Sequence, residues 1–169
     1  STTIYLDANG NATATAAEFD NGSATDNCTV ASIALAPNSF TCENIGTNTA
    51  VFTATDPSNN SATRNVTITV LDAIAPTIIA QNITINLDEN GTYNLTPAEI
   101  SNGSFDNCGI STWGISQSLF TCSNAGQSLN VTLFGSDASG NLGSAVAVVT
   151  VQDLIAPAVI TQNISVQLD

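Results

Sequence analysis

Cys28 and Cys42 stand fourteen residues apart, and Cys108 and Cys122 repeat that spacing. A zinc site would need these thiolates gathered as close CxxC pairs or completed by histidine, and the chain has 0 His. Disulfides are the better reading, and four cysteines allow three pairings. The repeated spacing favours Cys28–Cys42 and Cys108–Cys122, one bridge in each half, which implies an oxidising, exported setting. Closing a loop of that length is worth about 3 kcal/mol in the chain-entropy model.

The acidic residues also recur. Of 14 in all, most fall on matching positions: Asp7/Asp88/Asp169, Glu18/Glu99, Asp26/Asp106, Asp56/Asp137 and Asp72/Asp153. Only Asp20, Glu43 and Glu89 stand alone. Hard cations such as Ca2+ take six to eight oxygens from carboxylates, amides and carbonyls. The candidate ligands for Ca2+ are Asp26, Asp56, Asp72, Asp106, Asp137 and Asp153, which lie at turns or strand ends. Asp56-Pro-Ser-Asn-Asn60 and Asp137-Ala-Ser-Gly-Asn141 each set a carboxylate and an amide on one tight turn. Asp72 and Asp153 lie where one ion could fix the angle between neighbouring units. Turn acids also cap their own backbone and keep a surface soluble, and no EF-hand loop is present.

Other chemistry is poorly supplied. Without His there is no Ser–His or Cys–His dyad, and without Lys no amine nucleophile and no Lys–Asn isopeptide cross-link. No enzyme activity is expected, and no cofactor is required, although Ca2+ is one that those oxygens would suit. Net charge is −13 with Arg64 the single basic residue, so nucleic acid is not an expected partner. No apolar run is long enough to span a bilayer, and membrane insertion is not expected.

The elements that must position these groups come in copies. Asp72–Asp88 (DAIAPTIIAQNITINLD) returns as Asp153–Asp169 (DLIAPAVITQNISVQLD), a period of about 81 residues, and such self-similarity marks a repeat array. The expected divisions are residues 1–72, 73–153 and 154–169: a first unit truncated at its start, a second unit, and the first strand of a third. Alternating Val, Ile and Thr with regularly spaced turns and no helical period predict an all-β fold of tandem immunoglobulin-like β-sandwich repeats.

Within each unit, Asn9-Gly10 and Asn90-Gly91 read as hairpin turns. The stretch from Cys28 to Cys42 reads as a hairpin turning near Pro37-Asn38, its cysteines facing each other at the open end. Phe40 and Phe120 read as core anchors. This reading gives six strands per unit, which would bring both ends of a unit to one pole. An extended array needs an odd number, so a further strand is expected near Thr77–Ile79.

The sequence resembles the HYR-like, immunoglobulin-like repeats of giant Bacteroidetes cell-surface adhesins, gliding-motility adhesins among them. The resemblance is carried by Leu87-Asp88, Asn90-Gly91, Thr96–Ile100, Asn102–Ser104, Asp106–Ile110, Ser118–Cys122, Asp137–Asn141, Val149–Asp153 and Ile155–Pro157. It implies a β-sandwich spacer in a long protein exported from a bacterium through the type IX route to the cell surface. The expected role is a structural stalk segment serving attachment or surface motility through its parent. Its partners would be neighbouring repeats, with surface carbohydrate or protein met through other parts of that parent. Two rival readings are a calcium-dependent module binding carbohydrate or protein, and a polymer subunit whose Asn163–Asp169 segment completes a neighbour's sheet.

Overall fold

The expected alternation is what the backbone follows. The computed structural model describes residues 1–20, 22 and 24–167. In the first unit these form β1 (Thr2–Tyr5), β2 (Asn11–Thr13), α1 (Ala17–Asp20), β3 (Ser32–Ala36), β4 (Ser39–Thr41), β5 (Gly46–Thr55) and β6 (Ser61–Leu71). The second unit repeats them as β7 (Ile83–Asn86), β8 (Thr92–Asn94), α2 (Pro97–Ile100), β9 (Ile110–Ile115), β10 (Leu119–Thr121), β11 (Ser128–Asp137) and β12 (Leu142–Gln152). Each unit is a sandwich. A four-stranded sheet, β1-β6-β5-β3 or β7-β12-β11-β9, faces a two-stranded one, β2-β4 or β8-β10.

The cores form because the period of two puts one face of each long strand inside. On β12, Ala147, Val149 and Val151 are buried while their neighbours are not. Phe120 on β10 closes over them, joined by Val131 and Leu133 of β11. In the first unit Phe40, Ala50, Ile68 and Val70 do the same. Phe40 and Phe120, expected as anchors, are both almost wholly buried.

Two turns differ from the sequence reading, and both differences have one cause. Asn9-Gly10 is a turn but not a hairpin, because β1 pairs with β6 in the large sheet and β2 with β4 in the small one. The Asp7 carboxylate accepts from the backbone N–H of Asn9 and of Asn11, and this carries the chain across the sandwich. Nor do β3 and β4 pair with each other. β3 lies on β5, whereas β4 lies on β2. Since β2 starts beside Asp7, and β4 runs antiparallel to it, the chain keeps its direction through Pro37-Asn38 and merely changes sheet.

That sheet change sets where the cysteines lie. Ala31 bonds to Thr55, so Cys28 is at the pole carrying Asp56. Thr41 pairs with Asn11, and Leu6 bonds to Leu71, so Cys42 is at the opposite pole. β5 alone, 10 residues long, spans about 33 Å at the usual rise. A disulfide needs Cα atoms within about 7 Å. Cys28 therefore cannot reach Cys42, nor can Cys108 reach Cys122, and the expected pairing inside each unit is corrected. The bond joins Cys42 to Cys108, with Cα atoms 5.5 Å apart at a sequence separation of 66. Cys28 and Cys122 are free and exposed.

The same geometry settles the direction of travel. Thr77 bridges to Phe105 and Ala80 to Ser101, so the chain is already paired before β7. It runs away from the junction through Thr77–Ala80 and β7, and returns through β8 to Phe105. It then runs away again through β9 and β10 together, returns on β11 and leaves on β12. Counting the β9–β10 stretch as one pass makes the number of passes odd, and the second unit is entered at one pole and left at the other.

Residues 153–167 carry no strand and are all exposed, whereas their counterparts from Ile83 to Asn86 lie on β12. The final pair, 168–169, lies outside the described residues, and with it the expected position at Asp169.

Away from the junction, α2 is held by a Thr96–Glu99 capping box. The Glu99 carboxylate accepts from the Tyr93 hydroxyl and from the Thr96 backbone N–H. The tyrosine bond first, and Thr96 after it, hold Glu99 below the ordinary value of 4.5.

The pairing makes a definite chemical prediction. Alkylation of the unreduced, unfolded chain should label Cys28 and Cys122 and leave Cys42 and Cys108 joined on one peptide pair. Cys42→Ser should lower stability by about 4 kcal/mol, the chain-entropy value of so long a loop. A bond between Cys28 and Cys42 in the peptide map would contradict the fold as described.

Candidate metal centre at the junction of the two units

Three acidic side chains far apart in sequence meet where the first unit ends and the second begins. Asp72 follows the end of β6, Asp106 sits in the loop before Cys108, and Asp137 closes β11. One carboxylate oxygen from each lies within 4.8 Å of the others. Asp72 is 7% exposed and Asp137 3%. At an effective dielectric of about 20, two unit charges this close repel by about 3.5 kcal/mol. The single basic side chain, Arg64, is opposite Phe52 in the middle of the sheet and offers no relief.

Local turns aim these groups. The Asp137 carboxylate accepts from the Asn141 backbone N–H at 2.9 Å and from its Nδ2 at 2.7 Å, which closes the β11–β12 turn. The Asn141 side chain also donates to the Asp72 carbonyl at 3.1 Å, tying that turn to the first unit's last residues. Asp106 Oδ1 accepts from the Cys108 N–H at 2.9 Å. Asp72 Oδ1 accepts from the Ile74 N–H and from Asn107 Nδ2, both at 3.1 Å. Asn107 Nδ2 further reaches the Asp7 carbonyl at 3.2 Å.

The remaining atoms matter most. Asp72 Oδ2, Asp106 Oδ2 and Asn107 Oδ1 are buried and have no hydrogen-bond partner among the described residues. Orphaned buried acceptors are rare and costly. Here all are hard oxygens, two of them from carboxylates, and the cluster has no N or S donor. That set suits a cation of the calcium type and not zinc.

The disulfide is in the same place. Cys42 Sγ lies 3.4 Å from the Asn107 carbonyl, and Cys108 packs against the core of the first unit. Gly10, at φ +73, lets this approach happen, since a Cβ there would fall 2.7 Å from Cys42 Sγ and 2.8 Å from the Asn107 oxygen.

Of the six sequence candidates, the structure thus unites Asp72, Asp106 and Asp137. Asp26 and Asp56, the counterparts of Asp106 and Asp137, share a depression at the far pole of the first unit with Asn60. Asn60 donates to Asp56 as Asn141 does to Asp137, and its side-chain bond, then its backbone N–H, hold the Asp56 carboxyl below the usual 3.8. Asp153 is exposed beyond β12, its Oδ1 accepting from Ile155 as Asp72 does from Ile74. Sequence reasoning missed Asn107. Its signal was present as Asp-Asn-Cys, found at Asp26–Cys28 and again at Asp106–Cys108.

Fold and junction together define a tandem of β-sandwich units clamped pole to pole. No family model and no curated protein matches the chain. Among solved structures it is similar to human protocadherin-24 EC1-2, at 12% identity and TM-score 0.40, over 90% of this chain and 94% of that one. It is also similar to extracellular domains 3–5 of Drosophila OTK, at 11% identity and TM-score 0.38, over 89% and 59%. Protocadherin gammaB7 EC3-6 is similar at 15% identity and TM-score 0.35, over 72% of this chain, which spans 41% of that structure's length. None of these likenesses transfers a ligand or an activity to this chain.

If the acids repel as their spacing requires, removing one charge relieves the metal-free junction. Asp106→Asn keeps the Oδ1 bond to Cys108 and turns the orphaned oxygen into a donor facing carboxylates. With chelator present, thermal unfolding should show this variant more stable than the parent by about 1–3 kcal/mol. A variant less stable under those conditions would show that repulsion does not govern the site.

Proposed function

We propose that this chain is a load-bearing stalk segment of an exported cell-surface adhesin, whose units are held in line by a calcium ion at Asp72, Asp106 and Asp137. One observation carries this reading: three acidic side chains and three orphaned oxygens converge on the boundary between the units, with no basic group beside them. An ion there would bond to the end of one sandwich and to two loops of the next, so it would resist bending between them. Asp72 Oδ2, Asp106 Oδ2 and Asn107 Oδ1 would be ligands, with Asp137 completing the charge.

Other features agree with a spacer. Stacked sandwiches of strands about 33 Å long extend reach with few residues. Stability in such arrays is near the sum of unit and junction terms, so stiff junctions are what a stalk must add. Lacking His and Lys, the chain is read as binding and bearing load and not as an enzyme. The Cys42–Cys108 disulfide and the acidic surface suit an extracellular place, and the HYR-like resemblance suggests a bacterial adhesin serving attachment or gliding.

Calcium separates this from a stalk without a metal. Calcium at a hundredfold its Kd should stabilise the chain by about 2.7 kcal/mol, a rise of several degrees in Tm. Asp72→Asn should remove most of that rise, while Asp26→Asn, at the outer pole, should leave it. Equal melting in calcium and in chelator for the parent chain would overturn the proposal.

A further inference from the structure

Cys28 and Cys122 remain outside every role described so far, and both are built like cysteines that are bonded. Cys122 stands where Cys42 does, at the start of a 3-10 turn, Cys122–Asn124 against Cys42–Asn44. In both, the third residue's Oδ1 accepts from the preceding threonine's N–H, at 2.8 Å for Asn44 and 3.0 Å for Asn124. Cys42 Sγ lies 3.8 Å from the Gly10 carbonyl, and Cys122 Sγ lies 3.6 Å from that of Gly91. At both glycines, φ +73 and φ +72, a Cβ would collide with the sulfur. Cys28 matches Cys108 equally: each donates its N–H to the aspartate two residues earlier, Asp26 at 3.0 Å and Asp106 at 2.9 Å.

Position repeats as well as local geometry. Cys28 is at the outer pole of the first unit with Asp26 and Asp56, as Cys108 is with Asp106 and Asp137. Cys122 is at the outer pole of the second, near Asp153. The surfaces at both ends also lack the cover that the second unit's leading segment gives its own sandwich. Ile78 packs on Gly135 and Gly143, and the matching Ala54 and Ala62 line an open groove on the first unit. Val159 and Val166, the counterparts of buried Ile78 and Ile85, are 84% and 77% exposed.

We infer that Cys28 and Cys122 each form the kind of inter-unit bond that joins Cys42 to Cys108, each with a cysteine of a neighbouring unit. Each unit gives its trailing cysteine to the unit after it and receives one from the unit before it, through a second copy of this fold at either end. Every junction of an array is then cross-linked, and pulling force passes from unit to unit through sulfur and crosses each sandwich only along its β3–β4 stretch. This rests on reading the chain as part of a tandem array, but not on calcium.

The oxidant is a disulfide, either a small-molecule one or that of a thiol–disulfide oxidoreductase. The Cys122 thiolate attacks it and expels one thiolate, leaving a mixed disulfide. The incoming unit's thiolate then attacks Cys122 Sγ, forms the protein bond and expels the second. Two protons and two electrons leave the cysteines, and the oxidant's disulfide becomes two thiols.

The test extends the whole chain after Asp169 with another copy of residues 89–153, folds it in a glutathione redox buffer, and maps its peptides unreduced. Cys42–Cys108 should form as before, and Cys122 should be joined to the added copy's counterpart of Cys108. Only Cys28 and the last cysteine should take up iodoacetamide. Amide exchange in the added counterparts of β11 and β12 reports whether that unit has folded. Cys122 alkylated beside a folded added unit overturns the inference, as does a bond from Cys122 to Cys108. An added unit that stays unprotected also counts against it, because the tail would then not lead into a further copy. A calcium effect on melting is unaffected by any of these outcomes, so the two proposals fail separately.

Discussion

The structure turns on the chain's change of sheet at Pro37-Asn38 and again between β9 and β10. A hairpin at these places would fold the cysteines of one unit back on each other. Because the chain instead continues in the same direction, each unit sends one cysteine to each pole. Disulfides tolerate little error in distance, so pairing follows from this topology. The sulfur of one unit can meet only that of a neighbour stacked on it, and the covalent staple becomes a property of the junction.

The junction gathers the rest. Asn107 bonds to both the Asp72 carboxylate and the Asp7 carbonyl, with its own backbone carbonyl against Cys42. Asn141 adds a bond to the Asp72 carbonyl. These polar contacts orient the two poles, whereas the disulfide sets an upper limit on their separation. Acids in the same few ångströms would work against both unless a cation sits among them, which is the physical basis for proposing calcium there. Interfaces within a chain are otherwise often weak and allow domains to move.

Much of this was legible in the sequence. The copy of Asp72–Asp88 at Asp153–Asp169 showed a tandem, alternation showed sandwiches, and Phe40 and Phe120 announced the cores. Asp72, Asp106 and Asp137 were each marked by repetition. That they would meet was not readable, since Asp72 belongs to the end of one copy and the others to the body of the next. Asn-Gly between apolar runs is a strong hairpin signal, but the Asp7 carboxylate overrides it by turning the chain between sheets. The fourteen-residue cysteine spacing misled for the same reason. Local spacing describes loops well and sheet membership poorly, because membership is decided by which face the core needs.

A junction locked by sulfur is measured best by pulling a single chain from its two ends, oxidised and then reduced, and recording the contour length released on full unfolding. With Cys42 joined to Cys108, the stretch between them, a sequence separation of 66, is shielded, so reduction should add about 230 Å at the usual extended length per residue. Bridges closed inside each unit would hide only two short loops, about 100 Å in total. A gain near that smaller figure, or none, would contradict a junction locked by sulfur.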